Sequence, residues 1–114
     1  RTAHVPGATR GRQRLVDRAK LLLASDPGRP WTLAEIADEI GGSPVYLTQV
    51  FRQVEGLPLY RYQLQLRLAR ALDLLATAED VSTVAHDLGF SSHSHFASAF
   101  RQAYGRSPST FRAS

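Results

Sequence analysis

The sequence predicts an all-α fold of about seven helices, in which two helix-turn-helix subdomains are joined by one long linker helix. Three observations lead to this prediction. Apolar residues recur at helical spacing along most of the 114 residues, and no segment reads convincingly as a strand. Glycine and proline separate these periodic segments. A pattern of short helix, glycine turn, second helix and closing glycine then occurs twice, with 48 or 49 positions between matching residues.

The N-terminal segment lacks a helical period. Residues 1–11 mix a proline and two glycines with small polar residues, so we expect a linker stub there. A helix follows over roughly residues 12–25, where Val16, Ala19 and Leu23 repeat at helical spacing. Proline and glycine then end this helix.

The first helix-turn-helix begins at a capping signal. Thr32 stands three positions before Glu35, a spacing in which each side chain accepts a hydrogen bond from a free backbone N–H at the helix start. Gly41 ends this helix, because glycine tolerates the left-handed conformation that turns a chain at a helix C-terminus. Ser43 is the expected N-cap of the second helix, which ends at Gly56.

A long helix, about Leu59 to Ala76, leads to the second copy of the pattern. Residues Val84, Ala85, Leu88 and Gly89 follow Ile36, Ala37, Ile40 and Gly41 by 48 positions. Residues Phe96, Phe100 and Gly105 follow Leu47, Phe51 and Gly56 by 49, which predicts one extra turn residue in the second copy. The predicted organisation is a linker stub at 1–11, a first subdomain at 12–58, a linker helix at 59–77 and a second subdomain at 78–114.

The outward face of each second helix points to DNA. Burying the apolar residues of a helix exposes the opposite face, and here that face carries side chains of a size that reaches base edges. In the first copy these are Val45, Tyr46, Thr48, Gln49 and Arg52, and in the second they are His93, Ser94, His95, Ser98, Arg101 and Gln102. A solvated helix face is the alternative interpretation of one copy, but two copies at fixed spacing favour DNA.

The linker helix has a length suited to a two-groove arrangement. Roughly 17 residues span about 25 Å at ~1.5 Å per residue. With the flanking turns, this length is enough to hold two recognition helices about one DNA turn, ~34 Å, apart. Arg61, near the start of this helix, is a candidate phosphate contact, whereas Arg67 and Arg70 are equally compatible with surface ion pairs.

Composition narrows the function classes. The formal charge is +4 and Lys20 is the only lysine, which suits phosphate contacts but is also what GC-rich coding produces. With no cysteine and no apolar run of membrane-spanning length, we expect a cytoplasmic protein without disulfides or a thiolate metal site. We expect no catalytic residues, metal or cofactor, because no phosphate loop or paired-carboxylate motif occurs, and His93 and His95 point to different sides of a helix. The alternative to specific DNA binding is an all-helical protein-interaction module, for example one that contacts RNA polymerase through the acidic helix 33–40.

Residues 81–112 resemble the signature of the AraC/XylS regulators. The matching positions are Val84-Ala85, Gly89-Phe90, Phe96, Phe100-Arg101, Gly105, Pro108 and Phe111-Arg112. The segment that begins at Gly56 resembles the linker helix of that family, so that the resemblance covers residues 12–113. It implies two helix-turn-helix units in one monomer and usually transcription activation. It also implies an upstream sensor or dimerisation domain outside this chain.

The resemblance also implies roles for single residues. Base contacts are carried over to the outward faces, with Val45, Thr48 and Gln49 in the first unit and Ser94, His95 and Ser98 in the second; Tyr46 and His93 are further candidates. Phosphate contacts are expected from Arg52, Arg61, Arg101 and Arg112. The serines of the second unit are short, so that unit is expected to read fewer bases.

Overall fold

The computed structural model describes residues 7–78 and 80–113 of the chain. Within these residues it contains no strand and seven α-helices: α1 (Gly7–Ser25), α2 (Leu33–Ile40), α3 (Pro44–Glu55), α4 (Leu59–Thr77), α5 (Val81–Asp87), α6 (His93–Tyr104) and α7 (Pro108–Ala113). The predicted all-α class with two helix-turn-helix units and a long connecting helix is confirmed.

The start of α1 differs from the prediction. The helix begins at Gly7 and not near residue 12, so residues 7–11 of the predicted linker stub are helical, while residues 1–6 lie outside the described part. Among the described side chains of α1, the first buried one is Val16. Apolar periodicity marks only turns that bury side chains, so it gives no signal for the start of this helix. Arginine, which is frequent here, is also a good helix former.

The chain forms two compact units. Of the described residues, unit 1 comprises 7–26 and 31–63, and unit 2 comprises 27–30, 64–78 and 80–113. In unit 1, helices α1, α2 and α3 contact one another around a core of buried side chains. That core contains Val16, Ala19, Leu23, Ile36, Ala37, Ile40, Leu47, Val50 and Phe51.

A part-buried ion pair joins α1 to α3 in unit 1. The Lys20 ammonium donates to the Glu55 carboxylate at 3.0 Å, and this hydrogen bond raises the pKa of Lys20 above its ordinary value. The same ammonium lies 5.7 Å from the centre of the Tyr62 ring, which in turn contacts Phe51 edge to face. These contacts fix the C-terminal end of α3 against α1.

Unit 2 is built around aromatic rings. Its core consists of Leu68, Ala71, Leu75, Val81, Val84, Ala85, Leu88, Phe90, Phe96 and Phe100. Phe100 is fully buried and its ring centre lies 5.8 Å from that of Phe96, 4.8 Å from that of Tyr104 and 5.7 Å from that of Phe111. The last of these contacts attaches α7 to α6.

Replacing Phe100 by alanine tests this core. Because the ring is fully buried among three other rings, Phe100→Ala should lower the free energy of unfolding by about 3–5 kcal/mol and abolish the packing of α6. Urea unfolding followed by circular dichroism measures the loss, and amide hydrogen exchange locates it in α6. Gln102→Ala, two positions along the same helix and exposed, is the control and should change little. An equal effect of both substitutions would contradict the assigned core.

The N-cap of α5 predicts a pH dependence. The Asp80 carboxylate accepts a hydrogen bond from the Thr83 backbone N–H at 2.7 Å, and this bond lowers the pKa of Asp80. Stability from a lowered carboxyl pKa is present above the unfolded value and is lost as pH falls through the folded one. The thermal midpoint of the native chain should therefore fall more steeply than that of Asp80→Asn between neutral pH and about pH 3, because asparagine caps without titrating. Asp38→Asn, on an exposed position of α2, should leave the native pH profile unchanged.

Candidate nucleic-acid interface

The first turn places α3 against α2. Gly41 has φ 86°, and its N–H donates to the Ala37 carbonyl at 2.8 Å, which closes α2. A side chain at this φ would be strained, whereas glycine adopts it freely. The Ser43 hydroxyl then accepts from the Tyr46 N–H at 3.1 Å and starts α3. The capping box between Thr32 and Glu35 is present as predicted.

The predicted outward face of α3 is exposed. Leu47, Val50 and Phe51 are buried on the inner side. The outer side carries Val45, 68% exposed, and Tyr46, 48% exposed, together with the exposed residues Thr48, Gln49 and Arg52. All five predicted residues therefore share one solvent-facing surface.

The polar groups of this surface differ in what they already bind. The Thr48 hydroxyl donates to the Pro44 carbonyl at 3.0 Å, so its proton is used within the helix while its lone pairs stay available. No described residue bonds the side chains of Gln49 or Arg52. A groove of about 490 Å³, for which the sequence offers no pattern, is lined by Thr48 and Arg52 of this surface, together with Trp31, Ile36, Tyr60 and others.

The second turn also depends on a glycine with positive φ, and this glycine lies close to another residue. Gly89 has φ 80°, and a Cβ there would lie 3.1 Å from carbons of the Pro30 ring. The turn therefore needs glycine both for its conformation and for space. After the extra turn residue, the Ser92 hydroxyl accepts from the His95 N–H at 3.0 Å and starts α6.

The outward face of α6 is exposed as well. Phe96 and Phe100 are buried, whereas the predicted residues His93, Ser94, His95, Ser98, Arg101 and Gln102 are exposed. His95 is nevertheless held in place, because its Nδ1 lies 3.3 Å from the Ser91 hydroxyl and its ring meets the Phe90 ring edge to face at 5.3 Å. The sequence pattern predicts that His95 is exposed, but it does not indicate these two contacts.

The predicted phosphate-binding arginines fall into two groups. Arg52 near the end of α3, Arg61 in the first turn of α4 and Arg101 near the end of α6 are exposed. Arg112 is also exposed, but its guanidinium donates to the carbonyl of Ala78, just after α4. It therefore has a partner inside unit 2 with which a phosphate would compete.

The other two arginines of α4 also differ from each other. Arg70 forms an ion pair with Asp73 at 3.5 Å, as one of the two interpretations of the sequence had it. Arg67 is half-buried, and its guanidinium lies over the Phe90 ring, 5.9 Å from its centre. The ion-pair interpretation therefore fits Arg70 alone.

The described residues contain neither a cluster of possible metal ligands nor a helix of membrane-spanning character. No group of three His, Asp or Glu side chains there lies close enough together to hold a metal ion. Of the described helices, none combines the length and the apolar character that crossing a membrane requires.

Comparison with known proteins places this arrangement in a family. A family model described as a helix-turn-helix domain matches residues 36–114. The HTH-type transcriptional activator RhaR of Klebsiella pneumoniae is 34% identical over 108 residues, which are 94% of this chain and 38% of that activator. The chain thus spans well under half the length of that relative.

Solved structures share the fold. A transcriptional regulator of Chromobacterium violaceum, described among AraC-type DNA-binding domain-containing proteins, is 33% identical with a TM-score of 0.81, and the match covers 90% of this chain and 93% of that one. The DNA-binding domain of AdpA, solved in complex with a target DNA, is 23% identical with a TM-score of 0.77, covers 86% of this chain and 89% of its own, and shows the likeness of fold alone. The family match and the likeness to the Chromobacterium regulator confirm the resemblance first seen in residues 81–112: this chain belongs to the AraC/XylS family, among its AraC-type DNA-binding domains.

Proposed function

We propose that this domain binds double-stranded promoter DNA with sequence specificity and regulates transcription, with α3 and α6 as its two recognition helices. The observation that carries the proposal is that α3 and α6 each expose a mainly polar face, while Leu47 and Phe51 of α3 and Phe96 and Phe100 of α6 are buried. Side chains on such a face reach the base edges of a major groove without moving the core. The 19 residues of α4 correspond to about 28 Å of helix, which suits contact with two successive major grooves.

The chemistry of α3 suits direct base readout. Gln49 carries an amide that can pair with adenine through two hydrogen bonds, and the exposed Val45 can contact a thymine methyl group. Tyr46 and Thr48 add a phenol and a hydroxyl on the same face. Arg52 supplies a cation near the end of the helix for the adjacent phosphate.

The second helix offers shorter groups. Ser94 and Ser98 reach less far than glutamine or arginine, so that base reading by α6 depends mainly on His93 and His95. Arg101 is the phosphate contact of α6, and Arg61 is that of α4. Phosphate contacts fix the register of the protein on the duplex, while base contacts supply the sequence preference.

Activation is the expected regulatory effect, since RhaR is named as an activator. We propose that the protein acts in the bacterial cytoplasm and contacts RNA polymerase. The exposed carboxylates Asp38 and Glu39 on α2 form an acidic surface outside the buried face of Ile36 and Ile40. This surface is the candidate for a polymerase contact.

Selection of random duplex DNA by the purified domain at two salt concentrations tests the proposed function. We expect an enriched bipartite motif with half-sites about one helical turn apart. Gln49→Ala should keep the helix content and lose about 1–3 kcal/mol of discrimination at one base pair of the first half-site. Gln53→Ala, exposed on the same helix and not predicted to touch bases, is the control. Binding without enrichment that is lost steeply with salt would mean that only phosphates are read, and would favour the protein-interaction alternative.

Substitutions of Arg101 and Arg112 should have different effects on DNA binding and on stability when the salt concentration is varied. Arg101→Gln should weaken binding to all sequences and reduce the slope of log affinity against log salt by about 1, with an unchanged thermal midpoint. Arg112→Gln should lower the thermal midpoint, because the Ala78 carbonyl loses a charged donor, and should leave the salt slope unchanged. A reduced slope with full stability for Arg112→Gln would instead make this arginine the phosphate contact that was predicted from the sequence.

A further inference from the structure

Arg67 is an unusual cation for a surface helix. Its side chain is half-buried on α4, and burial lowers the pKa of its guanidinium. Its Nε is closed off from solvent, and no described residue accepts a hydrogen bond from it. Arg70, three positions along the same helix, is more typical because it pairs with Asp73 at the surface. A half-buried guanidinium that forms no ion pair with a described carboxylate needs another source of stabilisation.

The Phe90 ring supplies that stabilisation. The Arg67 guanidinium lies over the ring, 5.9 Å from its centre, and this attraction strengthens as water is removed from the cation. Phe90 is only 8% exposed and lies in the turn that leads into α6. A ring held at this place is fixed relative to the first residues of the recognition helix.

Phe90 in turn contacts His95, an exposed residue of α6. The two ring centres lie 5.3 Å apart at an interplanar angle of 78°, and the Phe96 ring is 5.0 Å from Phe90 on the core side. The Ser91 hydroxyl, 3.3 Å from His95 Nδ1, holds the imidazole from a further direction. Contacts therefore run from Arg67 through Phe90 to an exposed side chain of the α6 face.

We propose that Arg67 is a positioning residue for base readout by α6: it holds the Phe90 ring against which the His95 imidazole is oriented towards DNA. This inference rests on the proposed function, because it assigns a role within the reading of the second half-site. The role is indirect, since Arg67 itself is turned into unit 2. A short-armed recognition surface, with serines at positions 94 and 98, depends more on the orientation of its few longer groups.

The test compares Arg67→Gln with Arg70→Gln, which removes the same charge from the same helix. DNA selection and competition binding measure base preference in each half-site, and ¹⁵N NMR of the His95 ring reports which nitrogen carries the proton. Arg67→Gln should reduce base preference in the half-site read by α6 by about 2- to 5-fold, change the His95 ring signals and leave the α3 half-site unchanged. Arg70→Gln should leave both half-sites and the His95 signals as in the native domain.

Two further variants separate positioning from folding. Arg67→Lys keeps the cation and should restore part of the preference. Phe90→Leu keeps an apolar side chain but removes the ring, and should reproduce the effect of Arg67→Gln with Arg67 intact. If Arg67→Gln loses helix content, base preference in the half-site read by α6 is compared between Arg67→Lys and Phe90→Leu instead. The proposal then expects a higher preference in Arg67→Lys.

The outcomes that overturn the inference differ from those that overturn the function. Unchanged preference in Arg67→Gln, while His95→Ala reduces preference in the same half-site, would show that α6 reads bases without help from Arg67. An equal loss in both half-sites, or the same loss in Arg70→Gln, would reduce Arg67 to a general cation and overturn its positioning role. A native domain that enriches no motif would overturn the proposed function, and this inference with it.

Discussion

Burial of an apolar residue pair, four positions apart, on the second helix of each unit is the constraint on which the interface depends. Leu47 and Phe51 occupy these positions in α3, and Phe96 and Phe100 occupy them in α6; all four are essentially inaccessible to solvent. Residues four apart lie on one face of a helix, so burying them fixes the rotation of the helix about its axis. The opposite face is then exposed whatever its sequence. The core and the proposed base-reading surface therefore use different residues of the same helix, so the proposed base contacts can be changed without loss of the core.

Side-chain caps set the starts of the helices in a similar way. The hydroxyls of Thr32, Ser43 and Ser92 each accept from a backbone N–H three positions on, and the Asp80 carboxylate does so for α5. A helix start fixed by its own cap needs no partner from elsewhere in the chain. The starts of α3 and α6 are thus fixed at a surface where the outward side chains are exposed. This arrangement suits the preorganised presentation of base-reading groups.

Sequence reasoning succeeded where the signal is local. The capping box at Thr32, the glycine turns and the faces of α3 and α6 follow from residues within a few positions of each other, and their patterns mark burial directly. It did not find the first turn of α1, which buries no described side chain, or the hydrogen bond from Arg112 to Ala78, whose residues are 34 positions apart. Contacts of a long polar side chain across such a separation leave no period in the sequence. The placement of Arg67 over Phe90 belongs to the same class.

The two recognition helices differ in how they can achieve specificity. On α3, the side chains of Gln49 and Arg52 are long and form no hydrogen bond or ion pair with another described residue, so they can adjust to the DNA that they meet. On α6, the serines are short, and His95 is the longer group whose ring is already held by Phe90 and Ser91. A held side chain loses less conformational entropy on binding than a free one, but it tolerates fewer target geometries. The first unit is therefore suited to adaptable contacts with several base edges, and the second to a few contacts of defined direction, for which the placement of Phe90 by Arg67 is decisive.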